Sequence, residues 1–315
     1  MKIVRISVFT LVLLLIATVA LLWTPDTTRE QMTNLYANSA SRFVDLPSGD
    51  RIHYRDQGLR AGPTLLMIHG TSASLHTWEP LIEQLQDRFR LISLDLPGHG
   101  LTGANQARDY SPAAMIDAVW SVMDHLQVPD AVLVGNSLGG RIAWQAALSD
   151  SSRVKSLVLL APSGAPRTTQ SQSNIGFKLL ASSFGQALMK RITPRFIIER
   201  SLQQSVYEPS LISPDMVDRY WQLLRMNGNR QAMIDLARQP RDHKKWRELK
   251  GVSIPALIIW GQDDGVLPIE MAATFEHELP EVSVVRLDNV GHLPMEEAVS
   301  RVAHEIGLFC TANSC

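Results

Sequence analysis

Ser137 stands between glycines in GNSLGG (135–140), directly after the apolar run AVLV. A serine hydroxyl is a weak nucleophile at neutral pH. It attacks a carbonyl only beside a base that is itself oriented by an acid. Both partners occur late in the chain: His292 in DNVGHLPMEE, and Asp263 and Asp264 in WGQDDGVLP. The glycines around Ser137 fit a sharp strand-to-helix turn that lifts the hydroxyl above a sheet, with the helix beginning near Leu138. At this level either aspartate could orient the histidine.

Such residues meet only if the elements carrying them end on one edge of a sheet. TLLMIHG (64–70), RLISLDLPGHG (90–100), AVLVGNS (131–137) and VKSLVLLAPSG (154–164) read as strands. Helical spacing lies between them, in WEPLIEQLQDRF, SPAAMIDAVWSVMDHLQ and the stretch after Ser137. Strands alternating with helices imply an α/β fold, a mostly parallel sheet with helices on both faces. RFVDLPSGDRIHYRDQG adds a hairpin around Ser48-Gly49-Asp50. The alternation stops near Ala165 and resumes with IPALIIWGQDD, IEMAATFEHEL, VSVVRLDNVGH and EEAVSRVAHEIGLFC. The core therefore comprises residues 42–164 and 247–315. Residues 165–246, with GFKLLASSFGQALMKRI, DMVDRYWQLLRM and RQAMIDLARQ at helical spacing, form a helical insertion. Each candidate site residue follows a strand, where sheets of this kind carry their sites.

The first 23 residues differ from the rest. Ile6–Trp23 contains no charged residue and follows Lys2 and Arg5. As a helix it would rise about 27 Å, close to the thickness of a bilayer core. It reads as an N-terminal transmembrane anchor with the folded part outside the cytoplasm; a cleaved signal that releases a secreted protein is the alternative. Residues 24–41 are polar and read as a tether. Cys310 and Cys315 either close a small disulfide loop in an oxidising compartment or remain tail thiols. With 30 basic against 31 acidic residues there is no electrostatic case for nucleic acid. Neither cysteine has neighbours at metal-ligand spacing, so no metal site is expected, and nucleophilic catalysis by a serine with its base and acid needs no cofactor.

From Arg42 to Leu308 the sequence resembles the α/β-hydrolase fold superfamily in its helical-capped form. The pieces that carry the resemblance are IHG before TSAS, DLPGHG, GNSLGG, WGQDDGVLP and GHLPMEE. The resemblance implies a nucleophile–acid–histidine triad. In the family pattern the acid lies three residues after a glycine and four before a proline; Gly261 and Pro268 select Asp264 and leave Asp263 as a turn or capping residue. It also implies an oxyanion hole made by the backbone N–H groups of Thr71 and Leu138, with His69 shaping that loop and His99 structural. His53, His76, His125, His243, His277 and His304 are expected on the surface or in the core.

A serine at position 137 separates the chain from related branches that use aspartate there. GNSLGG also resembles hydrolases that split carbon–carbon bonds of ring-fission products. Those tend to carry an aromatic residue after the late histidine, where this chain has Leu293. The expectation is therefore a serine hydrolase of apolar esters or lipids, esterase- or lipase-like. Phe177, Phe184, Phe196, Trp221 and Met226 of the insertion either suit an apolar group or pack the insertion onto the core. The alternatives are a carbon–carbon hydrolase and a ligand-binding protein on the same fold.

Overall fold

The computed structural model describes residues 10–14, 17, 22–166, 175–240, 242 and 244–315, with Phe177 described by its backbone alone. Eight strands form one sheet: β1 (Ser41–Asp45), β2 (Arg51–Gly58), β3 (Thr64–Ile68), β4 (Arg90–Leu94), β5 (Ala131–Asn136), β6 (Val154–Leu160), β7 (Ala256–Gly261) and β8 (Val282–Leu287). Their spatial order is β1-β2-β4-β3-β5-β6-β7-β8. β2 is antiparallel to β1 and β4, and all other pairings are parallel. The expected hairpin is present, and Gly49 at φ +82° makes its turn.

Around the sheet lie α1 (Arg29–Tyr36), α2 (Glu79–Leu85), α3 (Pro112–His125), α4 (Leu138–Ser149), α5 (Ile175–Ala181), α6 (Ser183–Met189), α7 (Arg195–Gln203), α8 (Pro214–Leu224), α9 (Asn229–Arg238), α10 (Ala272–Glu278), α11 (Pro294–Glu297) and α12 (Val299–Asn313). β3 and β5 are apolar on both faces because helices cover both. Strand alternation sends Leu66, Ile68 and Leu133 into one layer with Val119 of α3 and Ile142 of α4. Leu65, Met67, Val132 and Val134 enter the other, with Leu85 of α2 and Ile306 of α12.

Helices α5 to α9 form the cap. GFKLLASSFGQALMKRI, one continuous helical pattern in sequence, is two helices. Ser182 at its middle is extended, and its hydroxyl accepts from the Gly185 N–H at 2.9 Å, which starts α6 afresh.

Residues 24–41 are not the tether that their polarity suggests. Thr28 and Gln31 form a reciprocal capping box that starts α1. Met32 is buried with Leu101 of the core and with Leu223 and Met226 of the cap. Arg29 donates to the carbonyls of Leu101 and Thr102 at 2.5 and 2.9 Å. Asp26 pairs with Arg230 at 2.5 Å. The segment is a strap joining core to cap, and its polar Asp26, Thr27 and Arg29 bond to the buried Arg230 side chain and to backbone carbonyls of cap and core.

The Ile6–Trp23 stretch, read as an anchor, lies largely outside the described residues. Among the described residues, no helix is long and apolar enough to cross a membrane. Cys310 and Cys315 are both free thiols rather than a bridge. His243 also falls outside the described residues.

Candidate active site

Ser137 occupies the turn between β5 and α4 at φ 54°, ψ −112°. A side-chain-bearing residue there stores strain on the order of 1–3 kcal/mol and persists only where its surroundings fix it. They do so here: the Ser137 N–H donates to Leu160 O at 3.0 Å, and its carbonyl accepts from the Ser163 N–H at 2.9 Å. The glycines are required by space. A Cβ at Gly139 would sit 1.9 Å from the Ile68 carbonyl oxygen, and one at Gly135 would sit 2.4 Å from the Gly139 oxygen.

The other two candidates meet beside it. Asp264 follows β7, and its Oδ1 accepts the N–H groups of Val266 and Leu267, both at 2.8 Å. That fixes the carboxylate so that Oδ2 faces His292 Nδ1 at 2.7 Å. Nδ1–H then donates to the carboxylate, which leaves Nε2 as the free ring nitrogen. The His292 backbone is held as well. Its N–H donates to Ser205 O of the cap at 2.7 Å, and its carbonyl accepts from Asn136 Nδ2 at 3.1 Å. Asp263 points elsewhere and accepts the Asn289 N–H at 3.1 Å, a turn bond that steadies the loop leading to His292.

Ser137 and His292 line a cavity of about 390 Å³ between core and cap. Thr71 lines the same cavity, and Leu138 opens α4 immediately after Ser137. The rest of the wall is mostly apolar, with Leu180, Met189, Ile192, Phe196 and Leu293 among its residues and Ser72, Asn136, Thr193 and Tyr220 as polar members. Among the described residues that line it there is no Asp, Glu, Lys or Arg. Leu22, at the end of the apolar N-terminal stretch, also reaches it.

Of the four large cap residues singled out in the sequence whose side chains are described, Phe196 alone lines the cavity. Trp221 donates to Thr193 O at 2.6 Å, Met226 packs beneath the strap, Phe184 is exposed, and the Phe177 side chain is outside the described set. Tyr220, Asn136 and Glu297 were not found by sequence reasoning. Asn136 bonds the carbonyl of His292, 156 residues on, and Glu297 accepts backbone N–H groups both from its own loop and from Tyr207 of the cap, none of which leaves a side-chain pattern in the sequence.

The remaining buried histidines are structural. His69 donates from Nδ1 to Gly70 O at 2.7 Å and accepts the Leu96 N–H on Nε2 at 3.1 Å, so both nitrogens serve backbone. Burial pushes the His99 imidazole down to about 3. His53 bonds the buried Asp95 at 2.7 Å. Burial opposes ionisation of Asp95, yet His53 holds its carboxyl well below the usual carboxylate range.

A family model described as the alpha/beta hydrolase fold matches residues 63–299. The chain belongs to the α/β-hydrolase fold family. It is 29% identical over 257 residues to the uncharacterized hydrolase YugF of Bacillus subtilis, covering 82% of this chain and 92% of that one. A solved membrane phospholipase A, described as a bacterial virulence factor, superposes with a TM-score of 0.76 at 24% identity, covering 100% of this chain and 99% of that one. The meta-cleavage product hydrolase of Pseudomonas fluorescens IP01 superposes with a TM-score of 0.73 at 22% identity, covering 86% and 97%. At these identities the two structures share the fold; they do not assign a substrate.

Proposed function

We propose that this hydrolase cleaves carboxylic esters of apolar, uncharged acyl groups through an acyl-enzyme on Ser137. The observation that carries the reading is the cavity over Ser137. Its walls are mostly apolar and, among the described residues, hold no Asp, Glu, Lys or Arg. A neutral acyl chain loses nothing on entering such a space, whereas the carboxylate of a ring-fission dienoate would be buried without a counter-ion. This favours an ester over the carbon–carbon alternative.

In this mechanism His292 Nε2 takes the proton of Ser137 Oγ as the oxygen attacks the carbonyl carbon, and Asp264 keeps Nδ1 protonated. The Oγ–C bond forms, and the displaced electron pair resides on the carbonyl oxygen, held by the N–H groups of Thr71 and Leu138. Collapse expels the alcohol, which takes the proton from His292. Water then attacks the acyl-enzyme and gives a proton to His292. The second collapse releases the carboxylic acid and returns that proton to Ser137. No cofactor enters any step.

Leu22 at the cavity and the exposed Leu188 and Phe196 in its wall suit a substrate drawn from a lipid phase. On this reading Ile6–Trp23 is a membrane anchor, and the catalytic part lies outside the cytoplasm.

The test is a panel of p-nitrophenyl esters from acetate to long acyl chains, assayed on the full chain in detergent with Ser137→Ala alongside. The full chain is needed because truncation before Arg42 would remove the packed strap. Turnover that peaks at a medium acyl length and disappears in Ser137→Ala is expected. No ester turnover, with cleavage of a vinylogous diketone instead, would replace this reading with the carbon–carbon one.

A further inference from the structure

We propose that Glu297 is a positioning residue for the reaction, a carboxylate staple that holds the His292 loop in place and ties it to the cap. The proposal rests on the assignment of His292 as the base. Glu297 Oε2 accepts the N–H of Gly291 at 2.8 Å, and Oε1 accepts the N–H of Leu293 at 2.9 Å. These two amides flank His292 on either side. The same Oε2 accepts the N–H of Tyr207 at 2.7 Å, from the cap segment that follows α7.

The cap and the loop are in backbone contact at this point. A Cβ at Gly291 would sit 2.7 Å from Ser205 O and 2.8 Å from Val206 Cα, so no side chain fits between them. Ser205 O in turn takes the N–H of His292 itself. The base is thus suspended between the cap and one carboxylate, and a shift of residues 205–207 is felt at the imidazole.

The chemistry requires a carboxylate. Three converging N–H donors need two acceptor oxygens, and charge-assisted bonds to backbone are roughly twice as strong as neutral ones. Glutamine offers one oxygen and would point its NH₂ at an N–H. Aspartate is one methylene too short to reach both sides of the loop. Burial raises the Glu297 carboxyl, against the pull of its three N–H bonds and with the Asp264 charge adding to the rise. The group is held at a cost that a surface glutamate would not bear.

The experiment is a double-mutant cycle read by the rate at which a fluorophosphonate labels Ser137 in the full chain. Labelling needs an activated nucleophile but not the correct ester, so it separates this proposal from the substrate assignment. Glu297→Ala is expected to slow labelling about 30- to 100-fold, as misplacing a catalytic group by about an ångström does. Glu297→Gln should recover part of that rate. In a His292→Ala background, Glu297→Ala should change the residual rate by less than about twofold, because a residue that acts through His292 has nothing left to position. If Glu297→Ala does not fold, as judged by thermal unfolding, the cycle is run with Glu297→Gln.

Full-rate labelling in Glu297→Gln would overturn the proposal. So would an equal loss with and without His292, which would mark Glu297 as general structural support. If the unmodified chain is not labelled at all, the assignment of His292 falls and this proposal falls with it.

Discussion

The core and the cap meet over Ser137, and they are built differently. On the core side the backbone has no slack. Gly139 lies against the Ile68 carbonyl, Gly135 against Gly139, and Asp264 is fixed by two amides of its own loop. On the cap side five short helices enclose the cavity, and apolar side chains such as Phe184 and Phe196 remain exposed. Chemistry needs positions held to fractions of an ångström, and the close-packed sheet edge supplies them. Fitting the proposed acyl chain needs volume and apolarity, which the cavity under the cap helices supplies. Besides apolar packing that includes Leu202 and Val217, the two sides are joined by the strap through Met32, by the His292 loop through Ser205 and Glu297, and by the Arg108–Asp235 ion pair at 2.7 Å.

Four perturbations would break or sharpen this contrast. The largest effect is expected for Gly139→Ala on the rigid side. The nearest atom is backbone and cannot step aside, so destabilisation above about 3 kcal/mol is expected. Thermal unfolding of the variant should show it, together with loss of esterase activity; a variant of ordinary stability would mean that the elbow is looser than described.

Next is Met32→Ala at the joint. Removing a buried methionine side chain that touches both units should cost about 2–4 kcal/mol. If the strap holds the cap, amide hydrogen exchange should rise in α8 and around Met226 and stay unchanged in β3 and β5. Uniform exchange would argue that core and cap unfold as one.

Third is acid stability, a core property. Burial pushes His99 down to about 3 and His76 to about 4, and lowers His69 as well, from an ordinary 6.5. The unfolded chain therefore binds more protons below pH 6.5 than the folded one. Stability is full above that value and is lost as pH falls through it towards the lowered values. Glu296, pushed up to about 7 by burial, acts in the opposite sense and offsets part of the loss. His99 alone corresponds to about 2 kcal/mol lost by about pH 5. The urea midpoint should fall between about pH 7 and pH 5, and less steeply in His99→Asn; an identical slope would contradict burial of that ring.

The smallest effect is expected for Leu180→Trp in the cavity wall. Filling the cavity should move the acyl optimum to shorter chains and change the long-to-short ester ratio about tenfold. An unchanged ratio would place the acyl group elsewhere.

The same contrast explains what was legible in the sequence. The strands, the elbow at Ser137, and the placing of His292 and of the Asp263–Asp264 pair follow from local rules: apolar runs, glycines where no Cβ fits, and acids and histidines at strand ends; the choice of Asp264 comes from the family resemblance. The strap was not legible, because its partners lie up to about two hundred residues away and its one buried side chain, Met32, sits among polar neighbours. Glu297 gave no signal for a different reason: its donors, two of them only four and six residues away, are backbone amides, which carry no sequence. Cap side chains could be recognised as apolar but not assigned a direction, and of the four singled out whose side chains are described only Phe196 faces the cavity.

The central claim is that Ser137 becomes acylated. Its most direct test is mass spectrometry of the full chain, acid-quenched during turnover of a medium-chain p-nitrophenyl ester and mapped by peptide. The account predicts one acyl adduct, on Ser137, absent from Ser137→Ala and barely formed in His292→Ala. An adduct on another residue, or undiminished turnover in Ser137→Ala, would contradict it.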